Sequence, residues 1–200
     1  MMSYTENIIE VNVNSEVGEL EAVIIHTPGS EVENMTPQHA ERALYSDILS
    51  LSVAQKEYLQ FRELLHATTR VYEIKDLLSD VLSIPKVREM LSSKAVSESN
   101  DPLIGAFLAS LDHNEMALKL IEGVEMQRDS LSRFLSPERY SLRPLHNFFL
   151  TRDASISVSR EVFISNMANK VRERESLIMC AIFDHHPLFK TTTQKLEEGI

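Results

Sequence analysis

The 200-residue sequence predicts an α/β protein interrupted by a helical bundle. Three observations carry this expectation. A β-branched run at the front is followed by a helix and a second strand. Helix-start signals without strand alternation crowd the middle of the chain. Strand character then returns ahead of a final amphipathic helix.

The first element is Leu20–His26, an apolar and β-branched run halted by Thr27-Pro28-Gly29, which reads as a buried strand ended by turn chemistry. Thr36-Pro37 sets a hydroxyl before a proline at a first helical position, where the missing N–H costs nothing, and Ser46-Asp47 closes that short helix. Val53–Ala67 reads as a helix with Ala54, Tyr58, Phe61 and Leu65 on one face. A strand over Arg70–Ile74 completes a β-α-β order.

From Ile74 to Leu135 the periodicity is helical. Ser83-Ile84-Pro85 opens a helix carrying Val87, Met90 and Leu91. The polar stretch Ser92–Asn100 reads as a loop, and Asp101-Pro102 starts a second helix through Leu111. Asp112 with Glu115 three residues on has capping-box spacing for a third, along which Met116, Leu120 and Val124 align. Met116 and Met126 are expected in the helical core. Strands are expected at Phe148–Thr151 and Glu161–Ser165, the latter as a hairpin partner through Ser157–Arg160. A helix from Arg174 to Asp184 stops at His185-His186-Pro187, and the polar tail from Thr191 is expected to be loose. The resulting division is 1–74 as a first α/β unit, 75–138 as an inserted helical subdomain, and 139–200 as a second α/β unit with its tail.

Composition narrows the function classes. Thirty acidic against 20 basic side chains give a formal charge of -10, which disfavours nucleic acid and anionic lipid as partners. No apolar run approaches the roughly 20 residues needed to cross a bilayer, and the first ten residues lack the pattern of a signal peptide. A single cysteine, Cys180, fits a reducing compartment, so the expected location is cytoplasmic.

Two patches can carry chemistry. In Asn147–Asp153 (NFFLTRD), a carboxylate just past the expected strand can accept parallel hydrogen bonds from a planar guanidinium. The structural alternative has Asp153 pairing with Arg152 or capping a turn. In Lys170–Glu175 (KVRERE), three alternate basic residues can clamp a carboxylate. The alternative there is a solvated helix start with locally paired charges. Cys180 falls among Leu177, Ile178, Ala181 and Ile182, where packing is the better reading than nucleophilic chemistry. His185-His186 read as helix-end residues rather than metal ligands, and neither metal nor cofactor is expected. His26 and His146 have no evident sequence partner.

Taken together, these stretches resemble the arginine deiminase family. Pro144–Asp153 (PLHNFFLTRD) resembles its PNLYFTRDP motif, and Asn169–Ser176 (NKVRERES) resembles its KTRNRET segment nineteen residues downstream. Val13–Leu20 followed by VIIHTPGSEVENMTP resembles the opening strand and loop. Val53–Glu57 resembles the VAQKEH helix. The resemblance runs from about Val11 to Pro187. It implies an α/β propeller of pseudo-fivefold symmetry, of which this chain would form part, with an inserted helical bundle. By the same resemblance Asp153 would bind the substrate guanidinium, as the chain's one catalytic residue, and Asn147 and Arg172 would hold the α-amino and α-carboxylate end of L-arginine. It also implies that the nucleophilic cysteine, a histidine base and a second acid belong to sequence not present here. The expectation is an N-terminal portion that is inactive alone and associates as a homo-oligomer. The alternatives are a non-catalytic binding or assembly module and another guanidino-modifying activity in the complete protein. Leu150 replaces the motif's phenylalanine, Ala154 its final proline, and Tyr45-Ser46-Asp47 a Phe-Asp-Asp run.

Overall fold

A computed structural model describes residues 8–33, 50–99, 101–126 and 139–195. The expected helix at Thr36-Pro37 and the Tyr45–Asp47 stretch lie outside these residues. In chain order the first elements are strand β1 (Ile9–Glu10), strand β2 (Ala22–Ile25) and the one-turn helix α1 (Ser30–Glu33). Helix α2 (Leu51–Thr68) then crosses to strand β3 (Arg70–Glu73), which lies parallel to β2 with Val23 opposite Val71. A parallel pair requires such a crossover. The inner side of α2 is Ala54, Tyr58, Arg62 and Leu65, all partly covered, whereas Phe61 faces outward at 48% exposure.

Four helices follow: α3 (Ile74–Val81), α4 (Pro85–Glu98), α5 (Ile104–Ser110) and α6 (His113–Glu122). Pro85 takes the first position of α4, and Asp112 with Glu115 forms the full capping box of α6. The polar stretch from Ser92 is helical as far as Glu98 rather than a loop. Val87, Leu91 and Ala95, at steps of four, form a buried stripe, and Lys94 pairs with Glu98 one turn on. Two adjacent apolar residues, Ala95 and Val96, of which only Ala95 is buried, supplied too weak a signal among the serines.

Helix α6 ends at Gly123, whose φ of +80° and closeness to the Leu142 carbonyl leave no space for a Cβ. Val124 therefore leaves the helix line of Met116 and Leu120 and enters strand β4 (Val124–Glu125), antiparallel to β5 (Tyr140–Leu142). Met116 is fully buried, while Met126 lies beyond β4 and outside the helical core.

The expected strand at Phe148–Thr151 is instead a turn leading into the short helix α7 (Thr151–Ala154). Phe148 N–H donates to the Leu145 carbonyl and Leu150 N–H to that of Asn147, so the chain coils where its aromatic content favours extension. Burial of Phe148 overrides propensity: its side chain is fully enclosed, 5.4 Å from the His26 ring. Strand β6 (Ser155–Val158) follows and pairs with β7 (Glu161–Ile164) through a two-residue connection, Ser159 taking φ +52°.

Helix α8 (Glu173–His185) returns the chain to β8 (Phe189–Lys190), parallel to β1, and β9 (Thr192–Lys195), parallel to β7. The polar tail is thus a strand through Lys195. Its threonines suit extended backbone, and Thr193 Oγ1 donates to Asp184 at 2.6 Å. One contiguous apolar cluster joins α3–α6 to α8 and β7. No described helix is long and apolar enough to cross a membrane.

Candidate functional site

The loop after β2 supports the Asn147 turn. His26 Nε2 meets Glu31 Oε1 at 3.0 Å, with both side chains buried, and Gly29 N–H donates to the same oxygen at 2.6 Å. Burial raises the Glu31 carboxyl, but the His26 and Gly29 hydrogen bonds outweigh it and hold the group below its ordinary range. A Cβ at Gly29 would sit 2.7 Å from the other Glu31 oxygen, so any larger residue would displace the Glu31 carboxylate. Thr27 donates through its N–H and hydroxyl to Glu73 at 3.0 and 2.6 Å, fastening the loop to the end of β3. His146 contacts the Glu31 carbonyl and Phe148 packs on His26, so the front loop grips the turn on both sides of Asn147. The histidine partners absent from local sequence are thus supplied by Glu31, carried round by the Thr27–Gly29 turn.

Asn147 itself is buried, and its carbonyl accepts from Leu150. Asp153 stands on α7, before strand β6 and not after one. Its N–H donates to the Leu150 carbonyl, while its side chain is 47% exposed. A one-turn helix therefore presents the carboxylate at a rim.

Arg172 closes a 3-10 turn (Lys170–Arg172) and caps α8. Its Nη1 donates to Asp153 Oδ2 at 3.0 Å, so two of the three expected site residues meet directly. Asp153 does not pair with Arg152, whose guanidinium turns outward to Glu16. The other edge of Arg172 lies against Glu175: Nε reaches both carboxylate oxygens at 3.1 and 3.2 Å, and Nη2 reaches Oε2 at 2.8 Å. Burial alone lowers the Arg172 pKa, but Glu175 and then Asp153 reverse this and hold it above its ordinary value. Burial pushes the Glu175 carboxyl upward, and the Arg172 contact opposes that rise.

The three-cation clamp expected over Lys170–Arg174 does not form. Lys170 is exposed, and Arg174 points into the protein. Arg174 donates from Nε to the Leu120 carbonyl at 3.0 Å and from its other nitrogens to Glu98 and the Arg143 carbonyl. The local-pairing alternative also needs revision: Arg172 and Glu175 do pair at i,i+3, but Glu175 and Arg174 are each only 1% exposed. Glu175 is the residue that sequence reading passed over. Its signal is the Arg-x-x-Glu spacing of Arg172 and Glu175, which places both on one face of a helix start.

Cys180 is buried and hydrogen-bonds to Asp184 at 3.3 Å. Burial first, then the Asp184 carboxylate, pushes its thiol up to about 11, the reverse of what a nucleophile requires. His186 is enclosed between Asp80 and Phe189. Leu188 N–H donates to its Nδ1, which leaves Nε2 as the donor toward Asp80. Among the described residues no group of three His, Cys, Asp or Glu side chains is arranged to hold a metal.

Comparison with known proteins agrees with the motif reading. The arginine deiminase family model matches residues 41–199. The chain is 32% identical to arginine deiminase 1 of Staphylococcus epidermidis over 194 residues, covering 90% of this chain and 47% of that protein. It is 34% identical to arginine deiminase of Staphylococcus haemolyticus and 31% identical to that of Listeria innocua, with 90% of this chain covered in each case. It spans about half the length of these relatives, 47% and 48% of the latter two. With its motifs in order and most of its length matched, the chain belongs to the arginine deiminase family.

Proposed function

We propose that this chain is the N-terminal portion of an arginine deiminase, a hydrolase that in its complete form converts L-arginine to L-citrulline and ammonia in the cytoplasm. The observation that carries the reading is the contact between Asp153 and Arg172, two motif residues far apart in sequence whose side chains meet at 3.0 Å. In this reading Asp153 takes the substrate guanidinium by charge-assisted hydrogen bonds, and Arg172 with Asn147 holds the α-carboxylate and α-amino end. An acid and a cation side by side match a ligand that is cationic at one end and zwitterionic at the other. Residues 1–74 and 139–200 would form units of an α/β propeller, with 75–138 as the inserted helical part.

The chemistry requires a thiolate to attack the guanidinium carbon, and acids and a base to move protons as ammonia leaves and water enters. Cys180, the chain's one cysteine, is buried with a raised pKa and does not supply it. The 200-residue chain is therefore expected to make no citrulline. A citrulline assay tests this: arginine-dependent product from pure protein, abolished by Cys180→Ala, would overturn it. In the complete enzyme Asp153→Ala should cripple both turnover and arginine affinity, and near-normal activity of the folded variant would reduce Asp153 to a turn residue. Exposed apolar side chains on α2 and the short sheets support association into a homo-oligomer. Sedimentation yielding only a 22.8 kDa monomer at high concentration would count against it. The same buried cysteine favours, as a second reading, a binding or assembly module derived from the fold. The exposed Leu150 at a motif position leaves room for a different guanidino substrate in the complete protein.

A further inference from the structure

We propose that Glu175 is the positioning residue of the site. It anchors Arg172 so that Asp153 can release it to a substrate guanidinium while Arg172 stays in place for the substrate carboxylate. The inference rests on the reading above that Asp153 and Arg172 take the two ends of L-arginine.

Arg172 is itself a guanidinium seated on Asp153, the group assigned to bind one. The side chain of Arg172 is therefore the substrate's rival. What decides the competition is how Arg172 is held elsewhere. It makes three close contacts to Glu175, through Nε and Nη2, and one to Asp153, through Nη1. The Glu175 fork is buried, with side-chain exposure of 15% for Arg172 and 1% for Glu175, whereas Asp153 is 47% exposed. Solvent weakens the exposed contact far more than the enclosed one. A carboxylate enclosed as Glu175 is would be costly to leave unpaired, so the Arg172–Glu175 contact persists when the Asp153 contact is exchanged.

Geometry makes the same point. With its Nε edge laid on Glu175, the guanidinium plane is fixed, and Nη1 and Nη2 carry hydrogens beyond those that Glu175 uses. These are the donors that a substrate carboxylate would take once Asp153 turns to the substrate's other end. Glu175 also sits in the first turn of α8, where a negative charge is favoured by the helix dipole. The backbone that carries both residues is fastened from behind. Arg174 is sealed against Glu98 and the Leu120 carbonyl, and Glu173 pairs with Lys94. Glu175 is thus a fixed post rather than a mobile partner.

The test is calorimetric titration of the protein and its Glu175→Gln variant with two probes: L-arginine, and agmatine, which has the same guanidinium but no carboxylate. Glu175→Gln keeps the shape and removes the charge. It should weaken L-arginine by roughly tenfold or more, the scale of a lost charged hydrogen bond, and weaken agmatine less, because agmatine meets only the renewed competition of Arg172 for Asp153 and has no carboxylate contact to lose. Equal weakening of both probes would mean a merely structural role, and no weakening of either would mean no role. Both results overturn the proposal. Failure of the underlying reading is separately visible: wild-type protein would bind neither probe, or Arg172→Lys would leave the preference for L-arginine over agmatine unchanged. A second measurement decides the anchor without any ligand, and it covers the case in which the variant does not fold. The Arg172 Nε–H resonance in wild-type protein, assigned by its loss in Arg172→Lys, should exchange slowly with water. Rapid exchange there would overturn the proposal.

Discussion

Two parallel strand pairs in this chain are joined by a helix, and the helices differ sharply. Helix α2 links β2 to β3 over 18 residues with none of them buried, whereas α8 links β7 to β9 over 13 residues with nine buried. Neither helix owes its state to composition alone, since both mix apolar and charged side chains. The difference lies in what surrounds them. Among the described residues α2 packs chiefly on β3 and α1, while α8 is enclosed by α3 and α4 on one side and by β6, β7, β8 and β9 on the other. Helix α8 is therefore the shared spine of the helical part and the second sheet, and its first turns carry Arg172 and Glu175. The side bearing the candidate site is built on the most firmly packed element, as a rigid binding geometry requires.

The largest expected effect is at Arg174. Replacing it by alanine leaves Glu98 only its Lys94 contact, removes the donor to two backbone carbonyls, and should cost about 3–5 kcal/mol in urea denaturation, the range for breaking a buried ion pair. A loss comparable to that of a surface change would dissolve the contrast between the helices. Next is Ile182, fully buried in α8, where alanine should cost about 2–4 kcal/mol through lost burial and a residual cavity.

A smaller effect concerns pH. Burial first, against the opposing pull of Asp80, holds His186 below its ordinary value of 6.5, so the fold favours its neutral form. A depressed pKa of this kind contributes stability that is present above the unfolded value. It is lost as pH falls from there through the lower folded value. Denaturation midpoints should therefore drop as pH falls from neutrality to below 6, and His186→Gln should flatten that slope. An unchanged slope would remove His186 as the cause. The smallest effect is on α2, where Leu64→Ala, at a position 64% exposed, should change stability by no more than about 0.5 kcal/mol. A large loss there would show that α2 is covered in solution.

Most elements were legible in the sequence because their signals are local. The β2-α2-β3 order, the proline start of α4, the capping box of α6, the β7 strand and the proline stop after α8 each follow from residues within a few positions. What failed was long-range. The Phe148–Thr151 strand gave way to a turn because Phe148 is captured by His26 and the core, and the serine-rich half of α4 is helical because Ala95 has a partner surface. The tail from Thr192 became a strand because β7 offers it a parallel edge.

The candidate site divides the same way. Asn147, Asp153 and Arg172 were singled out by the family resemblance of their motifs, and the poor prospect of Cys180 as a nucleophile by its apolar neighbours. Residue types and their order determined the family, the β-α-β plan and which side chains carry charge near the site. Tertiary structure alone decided that Arg174 turns inward while Arg172 turns to Asp153, and that the Glu175 paired with Arg172 is buried. Alternate charged residues at a helix start are equivalent until neighbouring elements arrive. The position packed under α4 and α6 must bury its charge against carbonyls and Glu98, and the position left at the rim pairs with Asp153 and Glu175.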